Sequence, residues 1–160
     1  NRHRHGILWV SRCRPQDPMQ TRAEDLVRRL LESFDYVGVL ALELFQVGDR
    51  LLANEIAPRV HNTGHWTIEG AVTSQFENHL RAILGYPLGS TAPIGHAAMV
   101  NLIGDLPDLG LLLRVPGVHV HVYGKEPRPG RKLGHVTLCT AQEAHLEALL
   151  GEVMQQVAAP

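Results

Sequence analysis

Residues 41–57 read ALELFQVGDRLLANEIA, in which two apolar runs flank the dipeptide Gly48-Asp49. Runs rich in Val, Leu and Phe on either side of a Gly-containing pair are typical of two antiparallel strands joined by a tight turn. The pattern predicts one strand over residues 36–47 and a second over residues 51–56. Gly38 inside the first run indicates a close approach of other backbone. The first half of the chain is therefore expected to contain an antiparallel hairpin.

Each strand of this hairpin carries one lone acid, Glu43 in the first and Glu55 in the second. A carboxylate among apolar residues is costly to bury, so each acid needs a partner or a metal ion. The two acids lie at nearly equal distances from the turn, and one β-bulge brings them to the same face. Two carboxylates, the amide of Asn54 and water suit Mg²⁺, which is usually held by one or two carboxylates plus phosphate oxygens. The alternative is that each acid pairs with an arginine or lysine.

Strands and amphipathic helices are mixed along the rest of the chain. Thr21 with Glu24, and Thr140 with Glu143, have the spacing of capping boxes and predict two helix starts. Neighbouring strands are joined by short turns, so the fold class is α+β with mainly antiparallel sheets. The other predicted elements are strands over 7–10, 99–103, 118–123 and 133–138, a linker near 88–95, and helices over 71–84 and 144–157.

Composition excludes several classes of protein. The 160 residues carry a net charge of −1, which argues against a general binder of nucleic acid or of anionic membranes. No apolar run approaches the roughly 20 residues that a membrane-spanning helix needs. Two cysteines, Cys13 and Cys139, are too few for a disulfide framework. We expect a cytoplasmic protein, and the opening Asn1, with a strand almost at once, leads us to expect a piece of a longer chain.

The loop after the second acid is polar and without periodicity. Arg59, His61, Asn62 and His65 offer charge and hydrogen bonds from one segment, and Gly64 would let backbone approach a ligand. His61 and His65 have the spacing of a zinc pair. That motif needs a helix with Glu after the first histidine, and here Asn follows. The alternative is a loop held by its own polar groups.

The turn between the last two predicted strands concentrates positive charge. It contains Lys125, Arg128, Arg131 and Lys132 with two prolines. Arginine binds phosphate through paired hydrogen bonds and lysine acts as a point charge, so a rigid turn of this kind suits a phosphorylated ligand. A solvated basic turn is the alternative, and nucleic acid is disfavoured because no aromatic residues are interleaved.

Several of these blocks resemble the N5-carboxyaminoimidazole ribonucleotide synthase family of ATP-grasp enzymes. The resemblance covers essentially the whole chain, and His5 departs from it where the family usually has Asp. The blocks are NEIAPRVHNTGHWT over residues 54–67, SQFE over 74–77, RPGRKLGH over 128–135, YVGV over 36–39, and Asn1-Arg2-His3 with Gly6-Ile7-Leu8.

The resemblance implies a reaction that joins 5-aminoimidazole ribonucleotide to bicarbonate with ATP and Mg²⁺, through carboxyphosphate. It implies residues 1–90 as the C-terminal part of an ATP-grasp domain and residues 96–160 as a small C-terminal domain. It also implies a homodimer for the complete enzyme and no activity for this portion alone, since no glycine-rich loop precedes Glu43. The implied site residues are Glu43 and Glu55 for the metal, His3, Asn54 and Glu55 for the nucleotide, Arg59, His61 and Asn62 for catalysis and substrate binding, and Lys125 and Arg131 for the substrate phosphate.

Two other functions stay open at this point. The formate-dependent glycinamide ribonucleotide transformylase shares the ATP-grasp fold and its two acids. A non-catalytic module that binds phosphate is the second alternative. The loop over residues 61–66 and the basic turn favour the carboxylating family over both.

Overall fold

The computed structural model describes residues 1–158 as two antiparallel sheets with five helices. No helix in this range is long and apolar enough to cross a membrane. The strands are β1 (Arg2–Arg4), β2 (Ile7–Arg12), β3 (Ala41–Val47), β4 (Arg50–Ala57), β5 (His96–Ile103), β6 (Val118–Val122) and β7 (Lys132–Thr140), and the helices are α1 (Gln20–Ser33), α2 (Thr67–Gly70), α3 (Gln75–Ile83), α4 (Leu109–Leu112) and α5 (Glu143–Ala158).

The larger sheet has the order β1-β2-β5-β7-β6, and all of its neighbours are antiparallel. Its central strands β5 and β7 are buried along most of their length, as expected for strands covered on both faces. Helix α5 covers one face, because Leu146, Leu150 and Val153 recur at the spacing of one helix side. They pack against Val100 and Val136 in the main hydrophobic core.

The smaller sheet consists of β3 and β4, and it confirms the predicted hairpin. Val47 pairs with Arg50 across the Gly48-Asp49 turn. Helix α1 covers part of one face of this sheet, where Val27 and Leu31 lie beside Leu42 and Leu44. Much apolar surface of the hairpin stays exposed.

The larger sheet contains strands from both sides of the predicted domain boundary at residues 90–96. Strands β1 and β2, from the proposed first domain, join the same sheet as β5, β6 and β7. Ser11 pairs with Met99, and Arg12 with Ala98. The two-domain assignment remains a prediction, and the last two residues of its second part, 159–160, lie outside the described range.

Helix starts differ from the sequence-based prediction. Thr21 lies inside α1, and the preceding turn is closed by Asp17, whose Oδ1 accepts from Met19 N at 2.9 Å. Helix α3 begins at Gln75 because Ser74 caps it, with Oγ accepting from Glu77 N at 3.2 Å. Thr140 is the last residue of β7. Met19 rather than Thr21 therefore precedes α1, Thr140 ends a strand before α5 begins at Glu143, and α3 begins at Gln75 rather than at Ala71.

Two further boundaries shift. The first hairpin strand begins at Ala41, so Gly38 lies in the bend before it, with φ of 127°. A Cβ on Gly38 would lie 2.9 Å from the His79 ring, so the close approach is to a side chain. Residues 71–73, predicted as helix, include Ala71, which bridges Pro93. Leu80 and Ile83, near the end of α3, are more than half exposed.

Gly134 and Gly151 provide a matched test of the large sheet. A Cβ at Gly134 would lie 2.2 Å from the His121 carbonyl oxygen, whereas one at Gly151 would meet nothing within 4 Å. We expect Gly134→Ala to lower the free energy of unfolding by about 1–3 kcal/mol, because β6 and β7 must separate. Gly151→Ala should raise it by about 0.5–1 kcal/mol through helix propensity. Urea unfolding measures both, and equal effects of the two changes would contradict the β6–β7 packing.

Candidate functional site

Glu43 and Glu55 are register partners across the β3–β4 hairpin. A β-bulge follows Glu43, so that Leu44 pairs with Ala53 and Asn54 is the extra residue of β4. Directly paired residues of antiparallel strands project to the same face. The bulge predicted from the sequence is therefore present, and it places both carboxylates on one side of the hairpin.

Both oxygens of Glu43 face a polar neighbour. Asn54 Nδ2 donates to Glu43 Oε2 at 3.1 Å, and His61 Nε2 lies 3.6 Å from Glu43 Oε1. The Glu43 side chain is 22% exposed, whereas Glu55 is exposed along with most of β4. The expectation that both acids are buried is therefore wrong for Glu55.

Lys132 is influenced by both acids and by two other cations. Burial lowers the pKa of Lys132, with Arg59 and Lys125 acting in the same direction and the two glutamates in the opposite one. Burial also lowers the pKa of His61, against the attraction of Glu43. A lysine close to both acids and to other cations can bind an anion at short range. Lys132 was not among the predicted site residues.

The loop after β4 is anchored by hydrogen bonds from three elements. The side chain of Gln75 bonds the backbone of His61 at 2.9 and 2.8 Å. Asn62 and Asn101 exchange amide hydrogen bonds at 3.0 and 2.7 Å. Ser11 Oγ donates to the Thr63 carbonyl oxygen at 2.9 Å. The loop is thus fixed to α3, β5 and β2 while Arg59 remains exposed at its start.

A second cluster lies beside the basic turn. The His121 and His135 rings stack at 4.4 Å between centroids, and His135 Nδ1 bonds Tyr123 Oη at 2.7 Å. His121 Nε2 bonds Glu69 Oε1 at 2.6 Å. Lys125 Nζ lies 5.1 Å from the centre of the Tyr123 ring, so this cluster supports the start of the basic turn. Burial lowers the pKa of His135 to about 3 and raises that of Tyr123 to about 12.

Of the predicted site residues, Asn54 and His61 contact Glu43 through their side chains, whereas His3 and Arg131 are among those that do not. His3 lies exposed on β1 in the larger sheet. The backbone of Arg131 contributes to the turn, where its carbonyl oxygen accepts from Gly104 N at 2.8 Å. Their nucleotide and phosphate roles remain predictions, as do those of the other site residues.

The donor set fits Mg²⁺ and does not fit a zinc site. Glu43 and Glu55 supply two hard oxygen donors, the number that Mg²⁺ usually takes from protein when phosphates complete its shell. Within residues 1–158 no group of three or more His, Cys, Asp or Glu side chains could hold a metal ion. His65 Nδ1 bonds the Gln75 amide at 2.8 Å, so it is not free to pair with His61 on a metal.

Two family models match successive regions of the chain. Residues 1–76 match the family model of the ATP-grasp domain, and residues 97–149 match that of the phosphoribosylaminoimidazole carboxylase C-terminal domain. N5-carboxyaminoimidazole ribonucleotide synthase of Pseudomonas aeruginosa is 56% identical over 96% of the chain. The chain belongs to the N5-carboxyaminoimidazole ribonucleotide synthase family. The Escherichia coli member is 45% identical over 94% of the chain.

Solved structures of the family agree with the fold. The Thermus thermophilus synthetase superposes over 100% of this chain with a TM-score of 0.95 and 57% identity. The Aspergillus clavatus synthase in complex with ADP and 5-aminoimidazole ribonucleotide superposes over 98% of it, with a TM-score of 0.88 and 33% identity. The chain spans 42% of the Pseudomonas and Escherichia coli relatives, and 45% and 46% of the two solved chains.

The site draws on both matched regions of the family. The acids and the loop lie within residues 1–76, whereas Lys125 and Lys132 lie within residues 97–149. The supporting residues missed at the sequence level are Gln75 and Asn101. Gln75 stands in a block that carried the family resemblance, and Asn101 is a lone amide in an apolar strand that is fully buried. Both signals could have identified them.

The free energy of unfolding should decrease as the pH is lowered, because buried histidines are neutral in the fold. Burial lowers the pKa of His65 to about 4 and that of His135 to about 3, from an ordinary 6.5. The neutral forms contribute fully above pH 6.5, and the contribution is lost as pH falls, because the unfolded chain then binds more protons. Each histidine should remove about 0.7 kcal/mol per pH unit near pH 6.5 and about 1.2–1.4 kcal/mol per pH unit near pH 5.5, where the unfolded histidine is protonated and the folded one is not.

Urea unfolding between pH 7.5 and 5 measures this slope. His135→Gln should reduce the slope of the unfolding free energy against pH by the contribution of one histidine. His119→Gln is the control, because His119 is exposed on β6 and its loss should leave the slope unchanged. Equal slopes in both variants would contradict the assignment.

Proposed function

We propose that this chain carries the metal acids and much of the substrate side of an enzyme that carboxylates 5-aminoimidazole ribonucleotide with bicarbonate, using ATP and Mg²⁺. The observation that carries the proposal is the pairing of Glu43 with Glu55 on the hairpin. Lys132, which lies in the second matched region, residues 97–149, is influenced by both acids. It is supported by the Aspergillus clavatus relative, whose structure contains ADP and 5-aminoimidazole ribonucleotide. The synthases named among the relatives do not favour the transformylase alternative.

In this proposal the hairpin binds the nucleotide side of the reaction. Glu43 and Glu55 would hold Mg²⁺, which neutralises phosphate charge in phosphoryl transfer. Asn54 orients Glu43 through its 3.1 Å hydrogen bond and stands next to Glu55. His3 is proposed to contact the nucleotide from β1.

The loop and the basic turn bind the carboxylation side. Arg59, His61 and Asn62 are proposed to contact the ribonucleotide and the carboxylating group, where fixed cations stabilise negative charge. Lys125 and Arg131 are proposed to bind the substrate phosphate. Burial lowers the pKa of His61, so its imidazole is neutral near pH 7. A neutral imidazole can accept a proton from a reacting group without first having to release one.

The homodimer and the cytoplasmic location are part of the same proposal. Apolar side chains after the middle of α3 are exposed and offer a surface for a second copy. They are Leu80, Ile83, Leu84, Tyr86 and Leu88.

The acids are tested in a chimera that joins this chain to the part of the Pseudomonas aeruginosa synthase that it does not match. Glu43→Gln and Glu55→Gln should each lower kcat by about 100-fold or more, because each removes a charge that holds the metal. Glu152→Gln, an exposed change on α5, is the control and should keep the chimera's rate. Thermal unfolding checks the fold, and near-normal turnover of both acid variants would show that the acids have only a structural role.

We expect no turnover from the 160-residue chain alone. No segment before Glu43 reads as a glycine-rich loop that could cradle ATP phosphates. ADP release is measured with ATP, Mg²⁺, bicarbonate and 5-aminoimidazole ribonucleotide. Release at the rate of the chimera would contradict the expectation.

A further inference from the structure

Gln75 makes more hydrogen bonds to the site loop than any candidate site residue described above. It is the first residue of α3, and its side chain reaches back across the loop over residues 61–65. Its Oε1 accepts from His61 N at 2.9 Å, and its Nε2 lies 2.8 Å from the His61 carbonyl oxygen and 2.8 Å from His65 Nδ1. One amide therefore touches both ends of the turn that carries Asn62.

The backbone of His61 decides the orientation of this amide. A peptide N–H can only donate, so the Gln75 atom that faces His61 N must be the oxygen. The other Gln75 atom is then the NH₂ group, whose two hydrogens point at the His61 carbonyl oxygen and at His65 Nδ1. His65 Nδ1 must accept, and the single ring proton of a neutral His65 is on Nε2.

The surroundings of His65 favour the neutral ring. Burial lowers its pKa to about 4, and His61, Lys132 and His121 act in the same direction. The one opposing influence is the His61 backbone. The neutral His65 ring accepts a hydrogen bond from Gln75, and the backbone N–H and C=O of His61 both bond Gln75. The three residues therefore form one hydrogen-bonded unit.

Gly64 is required by this contact. A Cβ at Gly64 would lie 2.8 Å from Gln75 Oε1, so only glycine leaves room for the amide. Gln75 thus occupies the space beside Gly64, and the approach of a ligand to this backbone stays a prediction. Thr67 Oγ1 completes the anchor by donating to the Gly64 carbonyl oxygen at 2.6 Å and accepting from Gln75 N at 3.0 Å.

We propose that Gln75 is a positioning residue of the site. It fixes the backbone of His61 and the tautomer of His65, and so it sets where Arg59, His61 and Asn62 stand relative to the Glu43–Glu55 pair. The catalytic part of this inference rests on the proposed function, whereas the hydrogen-bond part does not.

The hydrogen-bond part is tested on the 160-residue chain by ¹⁵N NMR of the histidine rings. In the unaltered chain at pH 7, His65 should have an unprotonated Nδ1 and a protonated Nε2. The opposite tautomer would overturn the inference without any variant. In Gln75→Glu the carboxylate cannot donate to His65 Nδ1 and instead favours a proton there, so the pKa of His65 should rise by at least about one unit.

Gln142→Glu is the matched control, because it makes the same chemical change at an exposed position before α5. It should leave the His65 titration unchanged. A folded Gln75→Glu chain whose His65 titrates like the unaltered one would overturn the proposal.

The catalytic part is tested with the same two variants in the chimera. Gln75→Glu should lower kcat/KM for 5-aminoimidazole ribonucleotide by about 10–100-fold, because displaced groups lose their alignment. The KM for ATP should stay within about twofold of the unaltered value, since the metal acids lie on another element. Equal activity of both variants would overturn the positioning role. An inactive unaltered chimera with the predicted His65 tautomer would instead count against the proposed function alone.

Discussion

Two carboxylates face each other across one hairpin, and the rest of the site compensates for their repulsion. Like charges directly opposite on antiparallel strands destabilise a sheet by roughly 0.2–1 kcal/mol. Glu43 and Glu55 occupy such a pair because the bulge at Asn54 keeps both on one face. Such a pair is unfavourable for folding alone and is useful when a divalent cation must be held. The Asn54 amide, the His61 ring and the nearby cations reduce this cost.

The compensating groups come from elements that are distant in sequence. Lys132 begins β7, the strand that pairs with β5 and β6 in the larger sheet. Asn101, buried in the middle of β5, holds Asn62 in the loop. The larger sheet therefore determines where the cations and the loop stand relative to the hairpin. The hydrogen bonds that join the loop to the sheet are those of Asn62 with Asn101 and of Ser11 with Thr63.

Local chemistry made the hairpin, its bulge and the antiparallel β6–β7 pair predictable from sequence. Gly48-Asp49 between two apolar runs is compatible with few structures other than a hairpin. Because the two acids lie at unequal distances from the turn, a bulge is needed to place both on one face. Strand β1 was missed because Arg2, His3 and Arg4 are polar, and its signal is the turn at His5-Gly6, where both residues have positive φ. His5 is thus the first central residue of that turn.

Other misses had a different cause. Helix α3 begins after Ser74, whose side chain caps it, rather than at Ala71, whereas α1 begins after Met19 without a side-chain cap rather than at Thr21. Gln75, Asn101 and Lys132 enter the site only through tertiary packing, which periodicity does not encode.

The most direct measurement of the central claim is paramagnetic broadening of NMR signals of the chain by Mn²⁺, which replaces Mg²⁺ at oxygen sites and reports even weak binding. The account predicts broadening centred on Glu43, Asn54 and Glu55 that extends to His61 and disappears when both acids are changed to Gln. Uniform broadening of all exposed carboxylates, or broadening that survives the double change, would show that the paired acids are not a metal site.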